Sequence, residues 1–206
     1  RRTTELGPQE MSNITWAFAT FTVVHDVMFE AIANEFVHKL PRHQPQELAN
    51  TIWAYAKLAY LHAPLCAAVA QRSMELLPEF TPQEIVNAAW SYATLSCVEK
   101  PLLTALSDAA RRLSWAWYPR NLANTAWAWA KLALDDRPLM DTLAAHSIAR
   151  IAEFVEQDLS NTAWAYARGE VQHAPLLHTI AATTLAQPRL VDTRTLALVS
   201  WSVVKL

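Results

Sequence analysis

Apolar and polar residues recur along the chain with the period of a helix, and the complete pattern returns every 37 residues. Between residues 45 and 59 the apolar side chains stand three or four residues apart, which predicts an amphipathic helix. The expected core face of this helix carries Leu48, Ile52, Tyr55 and Ala59. The opposite face is polar, and Trp53 lies at the border between the two faces beside small alanines.

Six tryptophans mark the period, because each interval between them is 37 residues. They are Trp16, Trp53, Trp90, Trp127, Trp164 and Trp201. Their neighbours repeat as well, as in LANTIWAYAK, LANTAWAWAK and LSNTAWAYAR. Such self-similarity is typical of a repeat architecture. The predicted repeats are residues 8–44, 45–81, 82–118, 119–155, 156–192 and a partial copy at 193–206.

Each repeat is predicted to form two helices. The first begins at a proline in four copies, Pro8, Pro45, Pro82 and Pro119, and proline suits the first helical position. A second proline precedes another apolar helical pattern, at Pro64, Pro101, Pro138 and Pro175. The connection, about residues 61–63 in the second repeat, is short enough to make the two helices antiparallel neighbours. We therefore expect an all-α fold, an α-solenoid of five to six helix pairs forming a single domain over residues 1–206 that is part of a longer chain.

Composition agrees with an all-helical chain. Only two of the 206 residues are glycine, whereas sheet proteins need glycine, Asn or Asp in many turns. The same shortage leaves no P-loop, dinucleotide-binding fingerprint or nucleophile elbow, so we do not expect an enzyme or a small-molecule cofactor. The two cysteines, Cys66 and Cys97, have no metal-site spacing and form no disulfide framework, which favours a reducing compartment. No apolar run is long enough for a membrane span.

A polar line along the first helices is the candidate binding surface. First helices often line the binding face of such solenoids, and amides and cations suit a polymer that carries phosphates and bases. The candidate RNA-binding residues are Gln46, Asn50, Lys57, Gln83, Asn87, Arg120, Asn124, Lys131, Gln157, Asn161, Arg168, Arg194 and Lys205. Alternatively, the repeated asparagines hydrogen-bond between repeats, the tryptophans fill the core, and the cations are ordinary solvated surface. A net charge of −2 attracts nucleic acid only through such a local surface.

Two further clusters allow a structural and a functional interpretation. Trp115, Trp117 and Tyr118 follow Arg111 and Arg112 at a repeat junction, either as a filled joint or as a stacking and cation–π site. Histidines recur nine residues after a tryptophan, at His25, His62 and His173. Each stands in a different repeat, so we expect no metal site there.

The runs PQELANTIWAYAKLA at 45–59 and NLANTAWAWAKLAL at 121–134 resemble the octotricopeptide-repeat family. The 37-residue period is closer to its relative, the heptatricopeptide repeat. The resemblance covers roughly residues 8–206 and implies an α-solenoid that binds organellar RNA in a chloroplast or mitochondrion. Members act in transcript maturation, stability and translation, and some sit in mitochondrial ribosomes. The resemblance makes the polar positions of the first helices the RNA-facing ones.

Two functional hypotheses follow. The first is an organellar RNA-binding protein that contacts single-stranded or ribosomal RNA along its first helices. The second is a protein-interaction scaffold or structural subunit of a large organellar assembly, which the weak net charge favours. An armadillo-type peptide binder is a third possibility, although those repeats are usually about 40–47 residues long.

Overall fold

The computed structural model describes residues 5–186 and 193–205, apart from the side chains of residues 193, 194, 203 and 205. Over these residues the regular structure is helical and contains no strand. The first helices of the repeats are α1 (Pro8–Thr20), α3 (Pro45–Lys57), α5 (Pro82–Thr94), α7 (Pro119–Lys131), α9 (Glu156–Arg168) and α11 (Thr193–Lys205). The second helices are α2 (Asp26–His38), α4 (Ala63–Leu76), α6 (Lys100–Leu113), α8 (Arg137–Ala149) and α10 (Ala174–Ala186).

The chain divides into two compact units, Arg1–Ala109 (unit 1) and Ala110–Leu206 (unit 2). In unit 1 the first helices α1, α3 and α5 pack side by side, and α2 packs against α4. In unit 2 the first helices α7, α9 and α11 pack in the same manner, and α8 packs against α10. Each unit is therefore built from helix pairs added in chain order, and the predicted all-α solenoid is confirmed.

The helix starts follow from local chemistry. Pro8, Pro45, Pro82 and Pro119 each occupy the first position of a first helix, as predicted. A capping box is present at the start of α5: the N–H of Glu84 donates to Thr81 Oγ1 over 3.4 Å, and the N–H of Thr81 donates to Glu84 Oε2 over 2.6 Å. These two bonds satisfy amide groups that a helix start otherwise leaves unpaired.

Four second helices, α4, α6, α8 and α10, begin one residue before a proline. A side chain of the residue before the helix caps α4 and α8. The N–H of Leu65 donates to His62 Nδ1 over 3.1 Å, and the N–H of Leu139 donates to Asp136 Oδ1 over 3.1 Å. His25 and His173 accept in the same way from the N–H groups three residues later. Repeated helix capping thus explains the histidines that recur at this position.

The first helices end in a turn that the sequence did not indicate. One residue in each repeat has a positive φ of 52–55°, and none is glycine: Thr22, Ala59, Ser96, Ala133 and Glu170. In the second repeat the N–H of Ala59 donates to Ala56 O, and that of Tyr60 donates to Tyr55 O, which is the Schellman arrangement. Ala59 is therefore exposed beyond the end of α3, and the prediction that it lies on the core face is wrong. The connection to α4 spans residues 58–62 rather than 61–63.

Tyrosine hydroxyls join successive repeats within each unit. Three phenols donate to a backbone carbonyl 26 residues earlier: Tyr55 to Phe29 over 2.6 Å, Tyr92 to Cys66 over 2.7 Å and Tyr166 to Met140 over 2.5 Å. All three rings are fully buried, and burial raises the pKa of each phenol. Small alanines of the first helices, such as Ala49 and Ala56, are also buried and allow neighbouring first helices to approach closely.

A ring-bearing residue also recurs every 37 residues just before the first helix of a repeat, at the joint between that repeat and the preceding one. These residues are His43, Phe80, Trp117 and Phe154, all buried. The His43 ring lies 3.6 Å from the Phe36 ring, centroid to centroid, and its Nδ1 is 3.0 Å from Lys39 O. Its Nε2 is buried without a hydrogen-bond partner, and burial lowers the pKa of His43. Burial in this joint therefore favours the neutral form of the His43 ring.

Candidate nucleic-acid interface

In unit 1 the predicted polar line lies on the outward face of the first helices. Gln46, Lys57 and Gln83 are exposed, whereas Asn50 and Asn87 are partly exposed. Each asparagine stands one helical turn after a glutamine, and Lys57 stands two turns after Asn50, so these residues share one face. Because α3 and α5 are adjacent and in the same register, the two amide sets are neighbours.

In unit 2 the same face carries more positive charge. The exposed candidates are Arg120, Lys131, Gln157 and Arg168, and the partly exposed ones are Asn124 and Asn161. They lie on α7 and α9, which pack side by side. The predicted contacts Arg194 and Lys205 have side chains outside the described part of the structure. Unit 1 has one cation in these positions, Lys57, so the potential for phosphate contact is concentrated in unit 2.

The asparagines of this face do not join the repeats within the described residues. The amide of Gln83 donates from Nε2 to Asn87 Oδ1 over 2.7 Å, within α5. No side-chain hydrogen bond from these asparagines to a neighbouring repeat is present in the described part of the chain. Within each unit the side-chain hydrogen bonds between repeats come instead from tyrosine hydroxyls. Asn50, Asn124 and Asn161 are partly exposed and therefore accessible to a ligand.

The periodic tryptophans lie beside the asparagines, and two of them are neighbours in a tilted arrangement. The Trp127 and Trp164 rings in unit 2 are 6.2 Å apart, centroid to centroid, with 31° between their planes. Both are partly exposed, and so are Trp53 and Trp90 in unit 1. Trp16 is 47% exposed, so the tryptophans are not completely buried filler. The 37-residue spacing of the tryptophans is enough to predict that their rings recur at one position of successive repeats. It does not predict how much of each ring is exposed.

Acidic residues reduce the positive potential at two points of unit 2. Burial raises the pKa of the Asp158 carboxyl overall, whereas the N–H of Val155 and the positive charge of Arg120 lower it. Arg168 lines a cavity of about 310 Å³ together with Asp135 and Glu170. The cavity lies next to Gly169, where the other described repeats have Phe21, Leu58, Leu95 and Leu132.

The aromatic cluster at residues 115–118 combines the two predicted roles. Trp117 is completely buried and belongs to the joint, whereas Trp115 and Tyr118 are 69% and 71% exposed. The Arg150 guanidinium lies 5.8 Å from the centre of the Tyr118 ring and donates from Nη1 to Trp117 O over 2.5 Å. This exposed pair of aromatic rings is compatible with stacking against a planar group.

Other kinds of site receive no support from the described residues. Among them there is no group of three metal-ligating side chains. In the same part of the chain, no helix is both long and apolar enough to cross a bilayer. The structure does bring Cys66 and Cys97 together, which their sequence spacing did not suggest.

The fold and this face define a class of protein, a helical-repeat solenoid whose first helices present a periodic row of amides, indoles and cations. Comparison of the chain with known protein families and with curated proteins gives no match.

Proposed function

We propose that the chain is an organellar RNA-binding helical-repeat protein, similar to octotricopeptide- and heptatricopeptide-repeat proteins, that binds single-stranded or ribosomal RNA along its first helices. The observation that carries the proposal is the repeated set of an accessible amide, a partly exposed indole and, most often in unit 2, a cation. Amides can read base edges, indoles can stack on bases, and cations contact phosphates. This division of roles makes a binding function a better match than catalysis.

The amide and the cation should contribute in different ways. Lys131 and Arg168 would bind any RNA, because a phosphate carries no sequence information. Asn124 and Asn161 would contribute sequence preference, because their amides can donate to and accept from a base. A participation in RNA processing, stability, translation or ribosome assembly would follow from this binding.

The test is the salt dependence of RNA binding, measured by fluorescence anisotropy with a labelled single-stranded RNA. The variant is the combined charge reversal Lys57→Glu, Lys131→Glu and Arg168→Glu. Each lost phosphate contact reduces the slope of log K against log salt by about 0.7, so the slope should fall by about 2 in magnitude. Affinity at low salt should fall at the same time.

A matched control reverses three exposed cations outside the first helices, Arg42→Glu, Lys100→Glu and Arg137→Glu. This control changes the net charge by the same amount and should leave the slope near that of the unchanged chain. If both variants lost the same amount of RNA affinity, the result would refute a defined binding face. Binding would then depend only on the net charge of the chain.

A second candidate function is a protein-interaction scaffold, and an exposed apolar row in unit 1 favours it. Val24, Leu61 and Val98 stand 37 residues apart in the turns between paired helices and are 51%, 57% and 50% exposed. Asp135 and Gln172 occupy the same register in unit 2, so the fold does not require an apolar residue there. Native purification with and without nuclease distinguishes the two functions: fixed protein partners that survive nuclease favour the scaffold.

A further inference from the structure

Cys66 and Cys97 lie close together in unit 1, although they belong to different repeats. Cys66 lies in α4 and is buried, and Cys97 follows α5 and is partly exposed. Tyr92 fixes both segments, because its hydroxyl donates to Cys66 O over 2.7 Å and its carbonyl accepts from the N–H of Cys97 over 2.9 Å. Cys97 is close enough to Cys66 to influence its thiol, and neither cysteine is in a disulfide.

The repeat register supports this juxtaposition independently. One repeat earlier the same two positions hold Phe29 and Tyr60, whose rings are in contact with a centroid distance of 5.7 Å. In unit 2 the same positions hold Met140 and Val171, which line one cavity. The fold therefore brings these two side chains together in each unit, and in the second and third repeats it brings two thiols together.

The two cysteines differ in their access to solvent. Cys66 is 1% exposed, and burial raises the pKa of its thiol, with the contact to Cys97 contributing in the same direction. Cys97 lies in the turn that follows α5. An oxidant in solution therefore meets the sulfur of Cys97 before that of Cys66.

We propose that Cys66 and Cys97 form a redox-modification site at which a hydroperoxide oxidises Cys97 and Cys66 then completes a disulfide. In the first step the Cys97 sulfur attacks one peroxide oxygen, the O–O bond breaks, and Cys97 becomes a sulfenic acid while hydrogen peroxide is reduced to water. In the second step the Cys66 sulfur attacks the Cys97 sulfur, the S–O bond breaks, and the departing oxygen leaves as water with the Cys66 proton. The sum is two thiols and one peroxide converted into one disulfide and two waters.

The product would link α4 of the second repeat covalently to the turn after α5 in the third repeat. A reducing thiol would convert the disulfide back into two thiols and itself become oxidised, so the link would be transient in a reducing compartment. The link would restrict the unfolded chain over the segment from residue 66 to residue 97 and so raise the midpoint of thermal unfolding by several degrees. The site is independent of the RNA-binding face.

The experiment treats the complete 206-residue chain with a small excess of hydrogen peroxide and measures its intact mass, its thiol content and its tryptic peptides without reduction. The expected result is a monomer that has lost two hydrogen masses and both free thiols. Peptide 58–72 should be joined to peptide 73–111, since trypsin does not cleave between Lys100 and Pro101. Dithiothreitol should restore both thiols and the original unfolding midpoint.

Two variants test the order of the steps. Cys66→Ala should leave a Cys97 sulfenic acid that dimedone traps. Cys97→Ser should leave a Cys66 thiol that peroxide oxidises only slowly, so that little dimedone adduct forms. Cys97→Ser alters a partly exposed turn, so it tests the proposal even where Cys66→Ala destabilises the core; circular dichroism establishes that each variant is folded. Three results would overturn the proposal. They are two thiols that remain free after peroxide treatment, a sulfinic acid at Cys97 without a linked peptide, and disulfide linkage only between separate chains.

Discussion

Replacing Ala59 with glycine should stabilise the protein, although the reverse exchange is the usual route to stability. Ala59 has a φ of 53° at the end of α3 and is exposed. An L-residue with a side chain is disfavoured in this left-handed region, whereas glycine adopts it freely. The hydrogen bonds of the turn come from backbone N–H groups, so the substitution removes none of them.

The expected size of the effect is the difference between two terms. Relief of the left-handed conformation contributes about 1–2 kcal/mol. The greater freedom of glycine in the unfolded chain offsets about 0.4–1 kcal/mol of this. We therefore expect the free energy of unfolding to rise by about 0.5–1 kcal/mol for Ala59→Gly. Ala133 has the same geometry in unit 2, with a φ of 52°, and should respond equally.

Urea denaturation followed by circular dichroism measures this change as a shift of the midpoint at constant slope. The matched control is Ala67→Gly, the same exchange at an exposed position inside α4. There glycine should cost about 1 kcal/mol, because it has poor helix propensity. The reasoning is refuted if Ala59→Gly and Ala67→Gly destabilise the chain by similar amounts.

Three further predictions follow from single contacts. Tyr92→Phe removes the hydroxyl bond to Cys66 and should lower the free energy of unfolding by about 1 kcal/mol in urea titrations; an unchanged midpoint would mean that this bond does not hold the repeats together. Burial lowers the pKa of His43 below its ordinary value of 6.5, so below about pH 6.5 the unfolded chain binds a proton more readily than the folded chain. The free energy of unfolding should therefore be constant above about pH 6.5 and fall as the pH drops below that value. Urea denaturation midpoints measured at a series of pH values test this. Thr81→Ala removes half of the capping box and should cost about 1 kcal/mol, whereas Thr81→Ser should retain most of the stability measured by thermal unfolding.

The fold was predictable from sequence because its signals are local and repeated. A proline at the first helical position predicts where α3 and α5 begin. The spacing of apolar residues predicts that residues such as Leu48 lie in the core. The helix ends were not predictable in this way. The left-handed residues at these ends are threonine, alanine, serine and glutamate, so no single residue type marks the position. Glycine is the usual residue in such a turn, and its scarcity argued against predicting one there.

The candidate site was predictable only in part. Helical spacing placed Asn50 and Lys57 on one face, and both have the predicted accessibility. The spacing could not reveal that Asp158 lies near Arg120, because that contact depends on how two helices of unit 2 pack. For the same reason the contact between Cys66 and Cys97 was missed, since it joins residues of different repeats. The ligand of the polar face is a prediction that binding measurements must test.

The distance between the Trp127 and Trp164 rings limits the shape of any polymer that follows this row. Their centroids are 6.2 Å apart, whereas successive bases along one strand of a duplex are about 3.4 Å apart. If one base of a strand lay against each indole, the spacing between these bases would be nearly twice that in a duplex. The two bases would then not stack on each other. For a nucleic-acid ligand, such a spacing would favour segments with little tendency to form hairpins.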